Sequence, residues 1–178
     1  MTGSESIGTL ARMQPAGDAI ERFVDRGERL CCFAGEILVR CPRCDGQASI
    51  VSDPAAEGHG HLWVRRRLVC RGCGRTDAWE APRIPGSAGR SLPRFTGPGD
   101  PYFGLPLWLS MGCRGRLLWA YNAEHLELLE SYASAGLRER GLVSGSMSMV
   151  ERLPKWIKIA RNRTEVVRVI RRMKMSLS

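Results

Sequence analysis

CPRCDG, residues 41–46, and CRGCGR, residues 70–75, decide how this chain is read. Each holds a Cys-x-x-Cys pair with a glycine close behind it, Gly46 and Gly74, and twenty-five residues separate the pairs. Cys-x-x-Cys places two sulfurs on one tight turn, and a following glycine permits backbone geometry that aims amide N–H groups at thiolates. Two such turns supply four soft ligands, a donor set suited to tetrahedral Zn²⁺. Cys41, Cys44, Cys70 and Cys73 are therefore the candidate ligands of one zinc ion. Four cysteines close the coordination sphere, whereas catalytic zinc keeps a position open for water or substrate, so the expected zinc is structural. A thioredoxin-like redox site would need a single pair at a strand-to-helix junction.

The flanking sequence is hairpin-forming. Gln47–Ser52 is strand-like, His61–Cys70 is a longer candidate strand entering the second pair, and Arg75–Glu80 leads away from it. Residues 53–60, rich in Pro and Gly, read as a loop. Over residues 37–84 this arrangement resembles a zinc ribbon, the small β-hairpin module of transcription-factor-B-type proteins. The resemblance implies a metal-held platform for nucleic acid or protein. So short a segment buries little apolar surface. Structural zinc contributes roughly 10–16 kcal/mol of apparent binding energy, enough to fold it.

The chain has 178 residues, 43% of them hydrophobic, which is ordinary for a folded protein. No apolar run is long enough to span a bilayer and the N-terminus lacks a basic-then-apolar signal pattern, so a soluble, cytoplasmic protein without a membrane partner is expected. Seven cysteines in that compartment point to thiols and metal ligands, not disulfides. The formal charge of +9 is uneven, with +7 in residues 151–178. Such a balance suits a polyanion or an acidic protein.

The expected class is α+β: an N-terminal four-cysteine zinc ribbon of antiparallel strands, then a small β-hairpin plus helices. Residues 1–30 read as a flexible N-terminus with a short helix over Asp18–Arg29, placing Ile20, Phe23 and Val24 on one face. The ribbon occupies 31–84, a Pro/Gly-rich connector 85–101, and the hairpin and helices 102–178. In the last part, Tyr102–Leu109 and Arg116–Tyr121 are candidate paired strands joined by a turn at Met111–Gly115. Asn122 is a candidate N-cap for a helix reaching about Arg140, with His125 packed inside it. Ser148-x-x-Glu151 offers a capping box. The stripes Leu153, Trp156, Ile157, Ala160 and Val166, Val169, Ile170, Met173 are out of phase, which predicts a break and a new cap at Asn162. Pro154 fits the first turn of the earlier helix.

Taken with the ribbon, the stretches PheGlyLeuProLeuTrpLeu (103–109), LeuTrpAlaTyrAsn (118–122) and LeuProLysTrpIleLysIleAlaArgAsnArg (153–163) resemble a group of small bacterial zinc-ribbon proteins. These have been likened to transcription-factor-B ribbons or to the primosomal replication-restart helicase. The helicase likeness does not extend to function here, because the sequence has no GxxxxGK[ST] loop and no room for two motor domains.

Candidate contacts for nucleic acid are Arg65, Arg66, Arg67 and Arg71 in the ribbon, and Lys155, Lys158, Arg161, Arg168, Arg171 and Arg172 in the tail. Arg43 and Arg75 add charge near the metal, and Trp63 and Trp79 are candidates for stacking on bases. The same basic residues read equally as solvated helix faces, or as offsets to the negative zinc–thiolate centre. An acidic protein partner is the alternative. No nucleophile–base pair, open metal site or phosphate loop is visible, so neither an enzyme nor a small-molecule substrate is expected. His59 and His61 read as loop histidines, and Cys31, Cys32 and Cys113 as free thiols.

Overall fold

A computed structural model describes residues 22–53, 65–140 and 147–177. Its centre is an antiparallel sheet of β2 (Glu36–Arg40), β3 (Gln47–Ser52), β4 (Arg65–Val69) and β5 (Thr76–Glu80), in that order. Side chains alternate between the faces, and the register sets Ile37, Ile50 and Leu68 side by side on the inner face. Arg66 shares that face, while Arg65 and Arg67 point outward. The free edge of β2 is covered from within the chain. Leu38 N–H donates to Tyr121 O at 2.8 Å, Trp108 N–H donates to Leu38 O at 2.9 Å, and Arg40 N–H donates to Pro106 O at 2.9 Å. Covered on its edge and buried beneath, β2 reads as the unbroken apolar run Ile-Leu-Val.

Residues 110–119 form a tight hairpin of β6 (Ser110–Cys113) and β7 (Arg116–Trp119). Its two-residue turn, Arg114–Gly115, has φ of 51° and 73°, the left-handed pair a type I′ turn demands. The expected pairing of Tyr102–Leu109 with Arg116–Tyr121 is thus corrected. The first strand starts at Ser110, because the positive-φ pair at 114–115 fixes the register. Upstream, Asp100 organises the connector: Oδ1 accepts from the N–H groups of Tyr102 and Phe103, both at 2.8 Å, and Oδ2 accepts from Leu105 N–H.

Helix α1 (Ala123–Ser134) begins at its expected cap, where Asn122 Oδ1 accepts from His125 N–H at 3.0 Å. It ends earlier than expected. Leu137–Arg140 forms strand β8, paired in parallel with β1 (Arg22–Asp25). Arg138 ends the helix: its Nε donates to Tyr132 O at 3.0 Å and its guanidinium lies 4.2 Å from the Tyr132 ring centroid. The helix expected over Asp18–Arg29 is likewise corrected for its described part. Strand alternation there buries Phe23 against Tyr132 and leaves Val24 51% exposed.

Three helices close the chain: α2 (Met149–Arg152), α3 (Lys155–Lys158) and α4 (Arg163–Met175). The Ser148/Glu151 capping box is present. Pro154 separates α2 from α3 instead of lying inside one helix. The break near Asn162 is also present, but Asn162 does not cap with its side chain; its Nδ2 donates to Trp156 O at 2.7 Å. Helix α4 packs on α1 and on β6. One hydrophobic cluster runs through both halves, including Ile37, Leu68, Leu109, Leu126 and Ile170. The mixed α+β class, with antiparallel strands around the cysteine pairs, is as expected. No described helix is long and apolar enough to cross a membrane.

Candidate metal centre

The β2–β3 and β4–β5 turns are two copies of one device. Cys41 N–H donates to Gly46 O at 2.8 Å and Asp45 N–H to Cys41 O at 2.9 Å; Cys70 N–H donates to Arg75 O at 2.8 Å and Gly74 N–H to Cys70 O at 2.9 Å. The residue after each second cysteine carries the left-handed φ, 56° at Asp45 and 71° at Gly74. In the first turn the left-handed residue is Asp45, and Gly46 directs its N–H at Cys44 as expected. A Cβ at that position would stand 3.4 Å from Cys44 Sγ, in van der Waals contact with it.

Because β3 and β4 are neighbours, the turns lie at the same end of the sheet and the cysteines converge. All four sulfurs lie within 4.8 Å of one another, with Cys41–Cys73 at 3.6 Å and Cys44–Cys70 at 3.7 Å. A tetrahedron with Zn–S bonds of about 2.3 Å has edges of about 3.8 Å, so the spacing fits such an ion. These cysteines are not joined in disulfides. Arg43 N–H donates to Cys41 Sγ at 3.4 Å, and this contact leads the causes that push the Cys41 thiol down to about 6, against the effect of burial. At Cys44 the Gly46 N–H lowers the pKa, but the thiols of Cys73 and Cys70 outweigh it and push it up to about 12. Four crowded thiols cannot all ionise alone, and a bound cation removes that conflict. Arg75, held above the ordinary guanidinium range by Asp77, also feels the charge of Cys41 and Cys73.

Cys113 is buried on β6, Cys31 is half-buried and Cys32 exposed, and none of them joins the cluster. His59, His61 and Trp63 lie outside the described residues.

The cationic candidates separate into three groups. Arg66 is corrected outright. It is 1% exposed; its Nη1 donates to Gly35 O and Ser52 Oγ, both at 3.1 Å, and its Nη2 to Ala34 O and Tyr102 Oη. Strand parity sends it inward with Leu68, a signal readable in the sequence and overlooked amid three consecutive arginines. A second group is surface-bound but engaged: Arg65 with Glu80, Arg67 with Asp53, Arg168 with Glu165, Arg171 with Glu130, and Lys158 with Glu151 O. The third, Arg71, Lys155, Arg161 and Arg172, is exposed, as is Arg43. Trp79 is half-buried and meets Tyr102 edge-on at 5.0 Å, a core contact and not a stacking platform. The sequence reading missed Arg114 at the hairpin tip, whose charge reaches Glu165 together with those of Arg168 and Arg172. The φ-positive pair Arg114–Gly115 was the signal for an exposed tip.

Fold and site together define a mixed α+β protein with a cluster of four cysteine sulfurs, able to hold a metal ion, at one end of an antiparallel sheet. No family model, curated protein or solved structure matches the chain.

Proposed function

We propose that the protein is a non-enzymatic binding protein built around one structural zinc ion, and that its cationic surface engages nucleic acid. The four-sulfur cluster carries the first part: four thiolates suit zinc and leave no open position for chemistry. The second rests on where exposed cations lie. Arg43 and Arg71 sit on the two metal-binding turns, and Arg65 and Arg67 on the outer face of β4. Arg161, Arg168 and Arg172 line the tail, with Arg114 near the last two. Phosphates recruit such side chains by releasing condensed counterions.

A second reading, docking of an acidic protein, is favoured by apolar side chains among the same cations. Ile159 is 39% exposed beside Lys158, and Met175 is 68% exposed beyond Arg172. Titration of labelled single- and double-stranded DNA and RNA at several salt concentrations separates the two. Nucleic-acid binding should weaken with salt, and replacing Arg168, Arg171 and Arg172 with Gln should shrink the log–log slope by roughly 0.7–0.9 per lost contact. Absence of binding to every polynucleotide at low salt rejects this reading in favour of the protein partner.

A further inference from the structure

Away from the metal, a cavity of about 750 Å³ opens between β7, α1, the connector and the short helices α2 and α3. That volume lies within the range of about 300–1,000 Å³ typical of sites for small organic ligands. Its walls are mainly apolar, with Leu118 from β7, Leu129 from α1 and Ile157 from α3. Its charged lining is of one sign: arginines contribute and no aspartate or glutamate does. Arg94 and Arg152 are both exposed.

His125 supplies the second, independent observation. It lines the cavity yet is only 2% exposed. Its Nδ1 accepts the Tyr121 N–H at 3.2 Å, so the proton of the neutral ring sits on Nε2. Burial pushes the ring down to about 4, which keeps it neutral near pH 7. His125 lines the cavity with its Nδ1 already engaged, which leaves Nε2–H as the ring's donor toward a ligand there. The arginines and this histidine are all donors, so the polar part of a complementary ligand must be an acceptor and, facing cations, an anion.

We propose that this cavity binds an apolar organic acid, its hydrocarbon body against Leu118, Leu129 and Ile157 and its carboxylate met by donors from Arg94, Arg152 and His125. A polynucleotide does not fit this chemistry, since its charge is spread along a chain and its body is polar. The inference stands apart from the nucleic-acid reading, and either can fail alone.

Calorimetric titration of the zinc-loaded full chain with dodecanoate and with dodecanol tests it. Dodecanoate should saturate at one per chain and bind at least about tenfold tighter than the alcohol, as expected for hydrogen bonds to a charged group. Arg94→Gln and Arg152→Gln should each weaken dodecanoate about threefold to fivefold, the modest effect of an exposed ion pair, and leave dodecanol unchanged. The Nε2–H resonance of His125 should shift on adding dodecanoate. Both arginines lie on the surface, so these variants should fold. Equal binding of acid and alcohol, failure of both to saturate below about 1 mM, or arginine variants indistinguishable from the native chain would each overturn the proposal.

Discussion

Replacing Arg66 with methionine keeps a long unbranched side chain and removes every donor it carries. The guanidinium now serves Ala34 O, Gly35 O, Ser52 Oγ and Tyr102 Oη, with its centre 4.6 Å from the Tyr102 ring centroid. It thereby joins the sheet to residues 34–35 and to the connector. Each buried acceptor left without its donor costs about 1–3 kcal/mol, and two carbonyls and two hydroxyls lose theirs together here. Methionine regains some apolar packing, so the expected net loss is about 3–4 kcal/mol. Against a total stability of about 5–15 kcal/mol this is a large fraction. Arg65→Gln and Arg67→Gln, one residue to either side but outward-facing, should each stay within about 0.5 kcal/mol of the native chain. Urea unfolding followed by tryptophan fluorescence on zinc-loaded protein measures all three. An Arg66→Met variant within about 1 kcal/mol of native, or an Arg65→Gln variant equally damaged, would refute the assignment of Arg66 to the core.

Elemental analysis should find one zinc per chain; Cys41→Ser and Cys73→Ser should lose it, while Cys113→Ser, whose sulfur lies outside the cluster, should retain it. A Cys41→Ser, Cys73→Ser double variant with full zinc would reject the site. His125 titrates near 4 in the fold, below its ordinary value. Its contribution is therefore complete above about pH 6.5 and is lost as pH falls toward 4, a change on the order of 3 kcal/mol. The pH profile of unfolding free energy should flatten in that interval in His125→Gln, and NMR titration of the ring checks the cause. Glu130 is held below the carboxylate range, first by Lys174 and then by Arg171. Its stabilisation is present above the ordinary carboxylate pKa and lost as pH falls through the lower folded value. Glu130→Gln should cost about 1 kcal/mol near neutral pH, and progressively less as pH falls through the carboxylate range, in the same unfolding assay.

The four-cysteine cluster was legible because Cys-x-x-Cys is a local device and a strand pair brings two copies together. Strands β3 to β5 were legible for a similar reason, since their two-residue alternation is written within each segment. Strand β8 was not. Leu-Arg-Glu-Arg has good helix formers and continues the apolar spacing of α1, and only a partner more than a hundred residues earlier makes it a strand. Tertiary pairing overrode local preference there, with Arg138 turned back onto Tyr132 O at the helix end. The cavity was illegible for another reason. Its walls come from β7, α1, α3 and the connector, and no single stretch of sequence carries the pattern.

The sheet that carries the cysteine cluster has one face and one edge already occupied, and this narrows what it can touch. Its inner face is consumed by the common core, and residues 106–108 and 121 occupy the edge of β2. What remains includes the two cysteine turns, the second edge of the sheet at β5 and the outer faces of the strands, with Arg43 and Arg71 on the turns and Arg65 and Arg67 on β4. The same fusion links the cysteine cluster to the helices. Asn122 caps α1 with its Oδ1 while its Nδ2 donates to Phe33 O at 2.9 Å and Glu36 O at 3.0 Å. Glu36 begins β2, which runs directly into Cys41. On the proposed zinc site, removing the metal is expected to release both turns, loosen the register of β2 against β3 and weaken the anchorage of the α1 cap. Chelation should therefore lower helical circular dichroism as well as sheet content. Loss confined to the sheet would mean that the core holds α1 without help from the metal.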